Sequence, residues 1–366
     1  MLTVGALTGQ VKLLASGQSH ILVETRRLEV QDIGSEPKLV KVVRPLQIDS
    51  RYQQQGNSLE FVNRSLRSGL LSADGEVLAL LATNDVGGIE AILAVGRRQG
   101  IDDQRKLSGE YLLRSFYIAL GDAAMCVAEN RRGNLRFGDD GQWRARASVH
   151  RAEWDFKQPL FREAAALPRD VQGTYRVAAD GHLAMSSGGI EWKGFVAKNG
   201  RLLVLAESDG AGYGLVLAVK VPERPTEAQL TTTHRLLGAS LEFEGRPHLA
   251  PVVIRGKIAY LPTRHAFDAA MEKLKWPGFP HPQSFARETL TIRPKGQHRV
   301  ADNGTFGPEG DGSDWHLIVP ELGLSIYMMD FDIFSAQRAE SVRGMIIGLG
   351  TESQQPRRAG EKPADE

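Results

Sequence analysis

Residues 173–220 read GTYRVAADGHLAMSSGGIEWKGFVAKNGRLLVLAESDGAGYGLVLAVK, and this stretch decides the fold class. Tyr175, Val177 and Ala179 alternate with Thr174, Arg176 and Ala178, the period of two of a strand with one buried face. Asp180-Gly181 separates this run from a second short one, His182 to Met185, and Asn199-Gly200 separates Trp192–Lys198 from Arg201–Ala206. Asp-Gly and Asn-Gly between such runs are hairpin signals, because both turn positions tolerate positive φ. The closing run, Leu215 to Val219, is apolar throughout and reads as a strand buried on both faces or against a neighbour. No window carries a helical period. The stretch is an antiparallel meander.

Pieces of it recur. GQVKLLASGQ from Gly9 lines up with GNLRFGDDGQ from Gly133, with Gly17 on Gly141 and Gln18 on Gln142. SGLLSADGEVLALLATND from Ser68 lines up with KGFVAKNGRLLVLAESD from Lys193, and Leu93-Ala94-Val95 with Leu217-Ala218-Val219. A fainter third copy has Gly256-Lys257-Ile258 after Gly133-Asn134-Leu135, Gly323 after Gly200, and MIIGLG (345–350) in place of the closing strand. The spacing predicts three units of roughly 120 residues: unit one at 1–97, unit two at 107–221 and a divergent unit three at 230–350. The glycines that keep register are read as turn residues. The opening hairpin of unit two, LSGEYLLRSFYIALGDAAMCVAENRR from Leu107, has no counterpart in unit one. A gap of that kind leaves strand edges exposed, so a truncated or misassigned start is expected, with another part of the chain filling the gap as the alternative.

Eight or nine strands in about 115 residues suit an up-and-down barrel closed on itself. The fold class is therefore all-β: tandem antiparallel meander barrels, with a β-propeller as the alternative. The barrel is preferred because the apolar closing strand occurs once per unit. Gln142–Phe156 reads as a long strand or bent pair, and Gln158–Asp170 as a short helix or loop. In unit three, Phe267, Met271 and Leu274 fall at i, i+4 and i+7, which predicts a short helical insertion near 264–275. The tail 351–366, TESQQPRRAGEKPADE, is polar and is expected to be disordered.

Lys and Arg number 45 against 44 Asp and Glu, a net charge of +1, so charge gives no reason to expect nucleic acid or an anionic membrane as partner. The single cysteine, Cys126, rules out an internal disulfide framework and sits in an apolar strand as a buried thiol. No run approaches the roughly 18 apolar residues of a transmembrane helix, and the first residues do not form a signal peptide. Neither observation fixes the compartment.

No nucleophile elbow, phosphate loop, dinucleotide fingerprint or paired-cysteine motif occurs, and no cofactor is expected. Glu309, Asp311 and Ser313 have the spacing of calcium ligands, but Asp314 stands where such a loop needs Gly and Pro320 where it needs Glu. The segment is read as a solvated turn, with no metal. Six histidines fall in unit three without a metal-binding spacing. Of these, His265 beside the expected helix and His316 beside Trp315 are site candidates. Asp330 and Asp332 are two more, since they share one face of a strand and paired carboxylates can act as acid and base. The plainer reading is a polar strand end.

GTYRVAADGHLAM, KGFVAKNGRLLVLAESD and LVLAVK together resemble uncharacterised bacterial β-repeat proteins marked by a G-x-Y and Asp-Gly hairpin unit. The resemblance covers unit two well, unit one from Gly9 onward and unit three poorly. It rests on turn and core residues and implies no activity; lipocalin-like and avidin-like barrels are related by architecture alone. The expected function is a non-catalytic binding or structural module, whose partner is a small apolar ligand held in a barrel or another protein. The alternative is an enzyme with its site in unit three.

Overall fold

A computed structural model describes residues 2–31, 38–62, 66–84, 90–97, 107–121, 125–155, 160–220, 233–244, 248–261, 266–275, 286–292, 298–300, 305–308, 316–319, 322–330 and 341–350. They form three antiparallel sheets in chain order. The first is a seven-stranded meander: β1 (Leu2–Leu13), β2 (Gln18–Gln31), β3 (Lys38–Gln55), β4 (Ser58–Phe61), β5 (Leu66–Leu71), β6 (Val77–Asn84) and β7 (Glu90–Arg97). The second closes into a barrel of eight: β8 (Gly109–Gly121), β9 (Met125–Phe137), β10 (Gln142–Asp155), β11 (Leu160–Val177), β12 (His182–Ser187), β13 (Ile190–Ala197), β14 (Leu202–Ser208) and β15 (Gly212–Lys220). The closed barrel excludes the propeller for this part of the chain.

The third sheet has nine strands: β16 (Thr233–Glu244), β17 (His248–Leu261), β18 (Ala266–Lys275), β19 (Ala286–Ile292), β20 (His298–Val300), β21 (Thr305–Pro308), β22 (His316–Val319), β23 (Leu324–Met329) and β24 (Ser341–Gly350). β16 pairs with β24 as β8 pairs with β15, and among the described residues the sheet ends on β19 and β20, which are consecutive in sequence. Among the described residues no helix is long and apolar enough to cross a membrane.

Two local expectations are corrected. The helix near 264–275 is instead β18, whose residues 269–275 alternate buried and partly buried while pairing with β17 and β19. Ala269, Met271 and Lys273 turn inward. The i, i+4, i+7 apolar triplet arises because Met271 and Leu274 pack on opposite faces, and pairing on both sides overrides a weak helical pattern. Likewise 160–170 is strand. β11 carries one extra residue opposite His150, a bulge between the Val149–Leu167 and Arg151–Ala164 pairs. That bulge breaks the alternation and leaves Pro168 at its flank, where strand prolines are tolerated.

The glycines divide into two physical kinds. Gly17, Gly75, Gly141, Gly200 and Gly323 have positive φ at turns, as the sequence suggests. Gly9, Gly133 and Gly256 do not; they lie inside β1, β9 and β17, where a neighbouring strand approaches too closely for a side chain. A Cβ on Gly133 would stand 1.9 Å from the Arg146 carbonyl oxygen, one on Gly9 2.2 Å from that of Leu22, and one on Gly256 2.3 Å from that of Ala270. The hairpin turns also differ. Lys198, Asn199 and Gly200 all have positive φ, whereas at Asp180-Gly181 only Gly181 does, and Asp180 instead accepts the His182 N–H through its side chain.

Among the described residues the first sheet has seven strands, and β1, with Gly9, takes the place that β9, with Gly133, takes in the barrel. Tyr52 at the end of β3 donates its hydroxyl to the Leu14 carbonyl at 2.8 Å and its N–H to Gly17. Tyr175 at the end of β11 does the same to Gly138, at 3.0 Å, and Gly141.

The three sheets pack cyclically. β15 lies against β1, β24 against β8, β9 and β10, and β7 against β16 and β17. One core cluster joins the outward faces of all three, including Leu70, Val77, Ala79 and Leu81, then Leu202, Val204, Leu217 and Val219, then Ile326, Met345, Ile347 and Leu349. This accounts for the apolar closing strands. They face a barrel interior on one side and the shared core on the other, and all ten residues of β24 are buried.

Candidate functional site

The closed barrel has two unlike halves, and strand parity dictates both. Leu135 and Phe137 of β9 face inward, so Arg131 and Glu129, two and three pleats back, face inward too. Tyr111 and Leu113 of β8 bring Ser115 and Tyr117 to the interior, and Leu203 and Leu205 of β14 bring Glu207. The apolar half is filled by Trp143 stacked on Trp192, with ring centroids 4.8 Å apart, and by the edge-to-face chain Tyr111–Phe137–Tyr175. Leu183, Met185, Val196 and Val216 complete it.

The polar half is an ionic network. Arg131 donates from one terminal nitrogen to both Glu207 oxygens at 2.6 and 2.7 Å, and from its other nitrogens to Glu129. Its guanidinium also lies over the Tyr117 ring, 4.3 Å from the centroid. Arg169 approaches Glu207 at 3.6 Å, Arg151 bridges Glu129 and Glu153, and the Tyr117 hydroxyl donates to Asp209 at 2.7 Å. Side-chain exposure rises from 0% at Glu207 to 25% at Arg169 and 37% at Arg151, so the network runs from the barrel floor to its mouth.

Three arginines face four carboxylates, each with a partner. Burial, and then the Asp209 carboxylate, push the Tyr117 phenol above its ordinary range. Burial disfavours the Arg131 charge, but Glu207 and Glu129 outweigh it and raise its pKa. Both side chains hold one protonation state near neutrality, the opposite of what proton transfer requires.

The sequence-predicted candidates lie elsewhere. Asp330 sits where the third sheet meets the barrel. It accepts from Asn130 Nδ2 at 2.7 Å and pairs with Arg132, and His150 Nδ1 is 4.0 Å away. Buried Arg343 completes the junction, donating to the His150 carbonyl at 3.1 Å, the Asp330 carbonyl at 3.1 Å and Glu163 at 2.6 Å. Burial, then Arg132 and Arg343, hold the His150 imidazole below its usual pKa. Asp330 therefore works as a rivet between two sheets. His316 lies in β22, its backbone paired with Phe306 and Tyr327. His265 and Asp332 lie outside the described residues, as do Glu309, Asp311, Ser313 and Asp314.

A second internal ionic group was not anticipated either. In the third sheet, buried Glu242 takes Lys273 Nζ at 2.6 Å and Lys275 Nζ at 2.8 Å. Fully buried His234 meets the Ser325 hydroxyl at 2.9 Å, and burial lowers its pKa to about 4. The overlooked signal is parity: Arg131 is two pleats from Leu135 and Glu207 one pleat from Leu205, both inward-facing residues of the barrel.

No protein-family model matches the chain, and no curated protein does. Among solved structures it is similar to the isotype 1 transferrin binding protein B from serogroup B Neisseria meningitidis. The identity is 8% and the TM-score 0.23, over 91% of this chain and 65% of that one. The chain thus spans just under two thirds of that protein's length.

Proposed function

We propose that this protein is a non-catalytic scaffold of three barrel units that binds another protein through its outer surfaces and strand edges. One observation carries the reading: the closed barrel is filled by its own side chains, aromatic at one end and ion-paired at the other. Eight-stranded barrels either fill their interior in this way or hold one small ligand. The Trp143–Trp192 stack stands where an apolar ligand would lie, so a protein partner is favoured over a small apolar one.

The three-unit reading is supported by the paired tyrosine clasps at Tyr52 and Tyr175, the close-approach glycines at Gly9, Gly133 and Gly256, and the cyclic packing. The stacked tryptophans supply the test, because a stacked pair gives a coupled near-ultraviolet circular dichroism band. Medium-chain fatty acids added to millimolar concentration leave that band unchanged. A ligand-dependent loss of the band would overturn the filled-barrel reading.

A further inference from the structure

We infer that the outward face of β9, β10 and β11 receives the protein partner, and that the partner presents a row of Asp or Glu carboxylates to Arg136, Arg144, Arg146 and Arg176. This rests on the partner-binding reading above and names its surface and the chemistry of the partner.

Strand parity builds the face. Leu135 and Phe137 of β9, Trp143 and Ala145 of β10, and Val171 and Tyr175 of β11 pack inside the barrel. The residues between them point out. Asn134 and Arg136, then Gln142, Arg144 and Arg146, then Asp170, Gln172, Thr174 and Arg176 are all exposed. Other outward parts of the barrel are covered. Leu202, Val204, Leu217 and Val219 lie in the shared core, and Ala128, Ala152 and Trp154 pack with Phe243 and Leu249 of the third sheet. The arginine face is the outward surface that carries no apolar residue over these positions.

Its charges are placed at a cost to the fold. Arg144 stands directly opposite Arg136, a like-charged cross-strand pair, and such pairs destabilise a sheet. Arg146 follows two residues on, beside Asp170. Asp170 alone serves both β10 arginines, taking Arg144 Nε at 2.8 Å and Arg146 Nε at 3.2 Å. Arg136 and Arg176 make no ion pair with another described residue, although Glu110 lies across from Arg136 on β8. Four arginines thus stand against two carboxylates. On the adjoining strand the outward charges are balanced, Lys193 being paired with Glu191 at 2.6 Å.

The arrangement selects the partner. Guanidinium forks match carboxylates in two-point hydrogen bonds. A strand with Asp or Glu at every second residue repeats at about 7 Å, the spacing of Arg144 and Arg146 along β10. A nucleic acid fits less well, because the Asp170 carboxylate would face its phosphates and the whole chain carries a net charge of only +1. Exposed ion pairs are individually weak, so binding draws on several at once and is sensitive to salt.

The probe is a dye-labelled octapeptide of alternating Glu and Thr, titrated into the full chain by fluorescence anisotropy. One-to-one binding that weakens as salt rises from about 20 to about 200 mM is expected. Arg136→Gln/Arg144→Gln should lose about tenfold or more in affinity. That variant should keep its fold, since removing two opposed cations relieves repulsion, and the tryptophan circular dichroism band reports this. Arg26→Gln/Arg51→Gln, two exposed arginines of the first sheet, should bind as the parent does. No binding at low salt, parent-like binding by Arg136→Gln/Arg144→Gln, or an equal loss in both variants overturns the proposal. So does tighter binding of an eight-residue oligothymidine with the same arginine dependence, which would mark a nucleic-acid surface. Loss of the tryptophan band on adding fatty acid would instead overturn the partner-binding reading, so the two failures are distinguishable.

Discussion

At the scale of single residues, physical chemistry separates glycines that look alike in sequence. Gly133 needs no unusual φ; it needs the space a methyl would occupy, because the Arg146 carbonyl already stands there. Gly133→Ala is expected to cost about 3 kcal/mol in chemical denaturation, through forced strand displacement. Gly121→Ala, where a Cβ meets nothing within 4 Å, is expected to be close to neutral. His234 carries the pH dependence. Its folded pKa is lowered to about 4 by burial, against an ordinary value of 6.5, so the unfolded chain binds its proton first as pH falls. Its contribution is complete above pH 6.5 and is lost progressively as pH falls toward 4, by an amount on the order of 3 kcal/mol. Unfolding free energies of the parent and of His234→Gln, measured from pH 7.5 to 4.5, should converge as pH falls; parallel curves would remove His234 from this role.

At the scale of elements, legibility followed the alternation of side chains. It was plain in β12 to β15, where the meander, the turns and the doubly buried closing strand were read from residues 173–220 alone. It failed in β11, where a bulge shifts the phase beside Pro168, and in β18, where Phe267, Met271 and Leu274 imitate a helical face. The strand assignment makes a parity prediction. Ala269→Asp buries a lone carboxylate inside the third sheet and should cost at least about 3 kcal/mol, whereas Ala270→Asp, on the opposite face, should cost under about 1 kcal/mol. Of the candidate site, only Asp330 was legible, and its polar strand-end reading lay close to its place at a sheet junction. The Arg131–Glu207 pair stayed hidden because its members come from β9 and β14, 76 residues apart, and no local spacing links them. Removing one member leaves the other buried without its main partner. Glu207→Leu should therefore destabilise by about 3 kcal/mol, and the Arg131→Met/Glu207→Leu double variant should lose less than the two single losses summed.

At the scale of the molecule, three sheets share one core, and each closing strand crosses onto the next sheet. The junction between β24 and the barrel is tied by Arg343, whose guanidinium serves residues of β10, β11 and the third sheet at once. Arg343→Met should weaken that junction by about 3 kcal/mol. Exchange should then quicken across residues 341–350 and 125–137 before it does so at β12 and β13. One barrel is filled, the third sheet is riveted to it, and among the described residues the first sheet ends on β1 and β7. The most direct measurement is the native mass of the purified chain set against its denatured mass. A filled scaffold gives equal masses, with no small molecule retained. A stoichiometric excess that disappears on denaturation would show a ligand within the protein and would contradict the account.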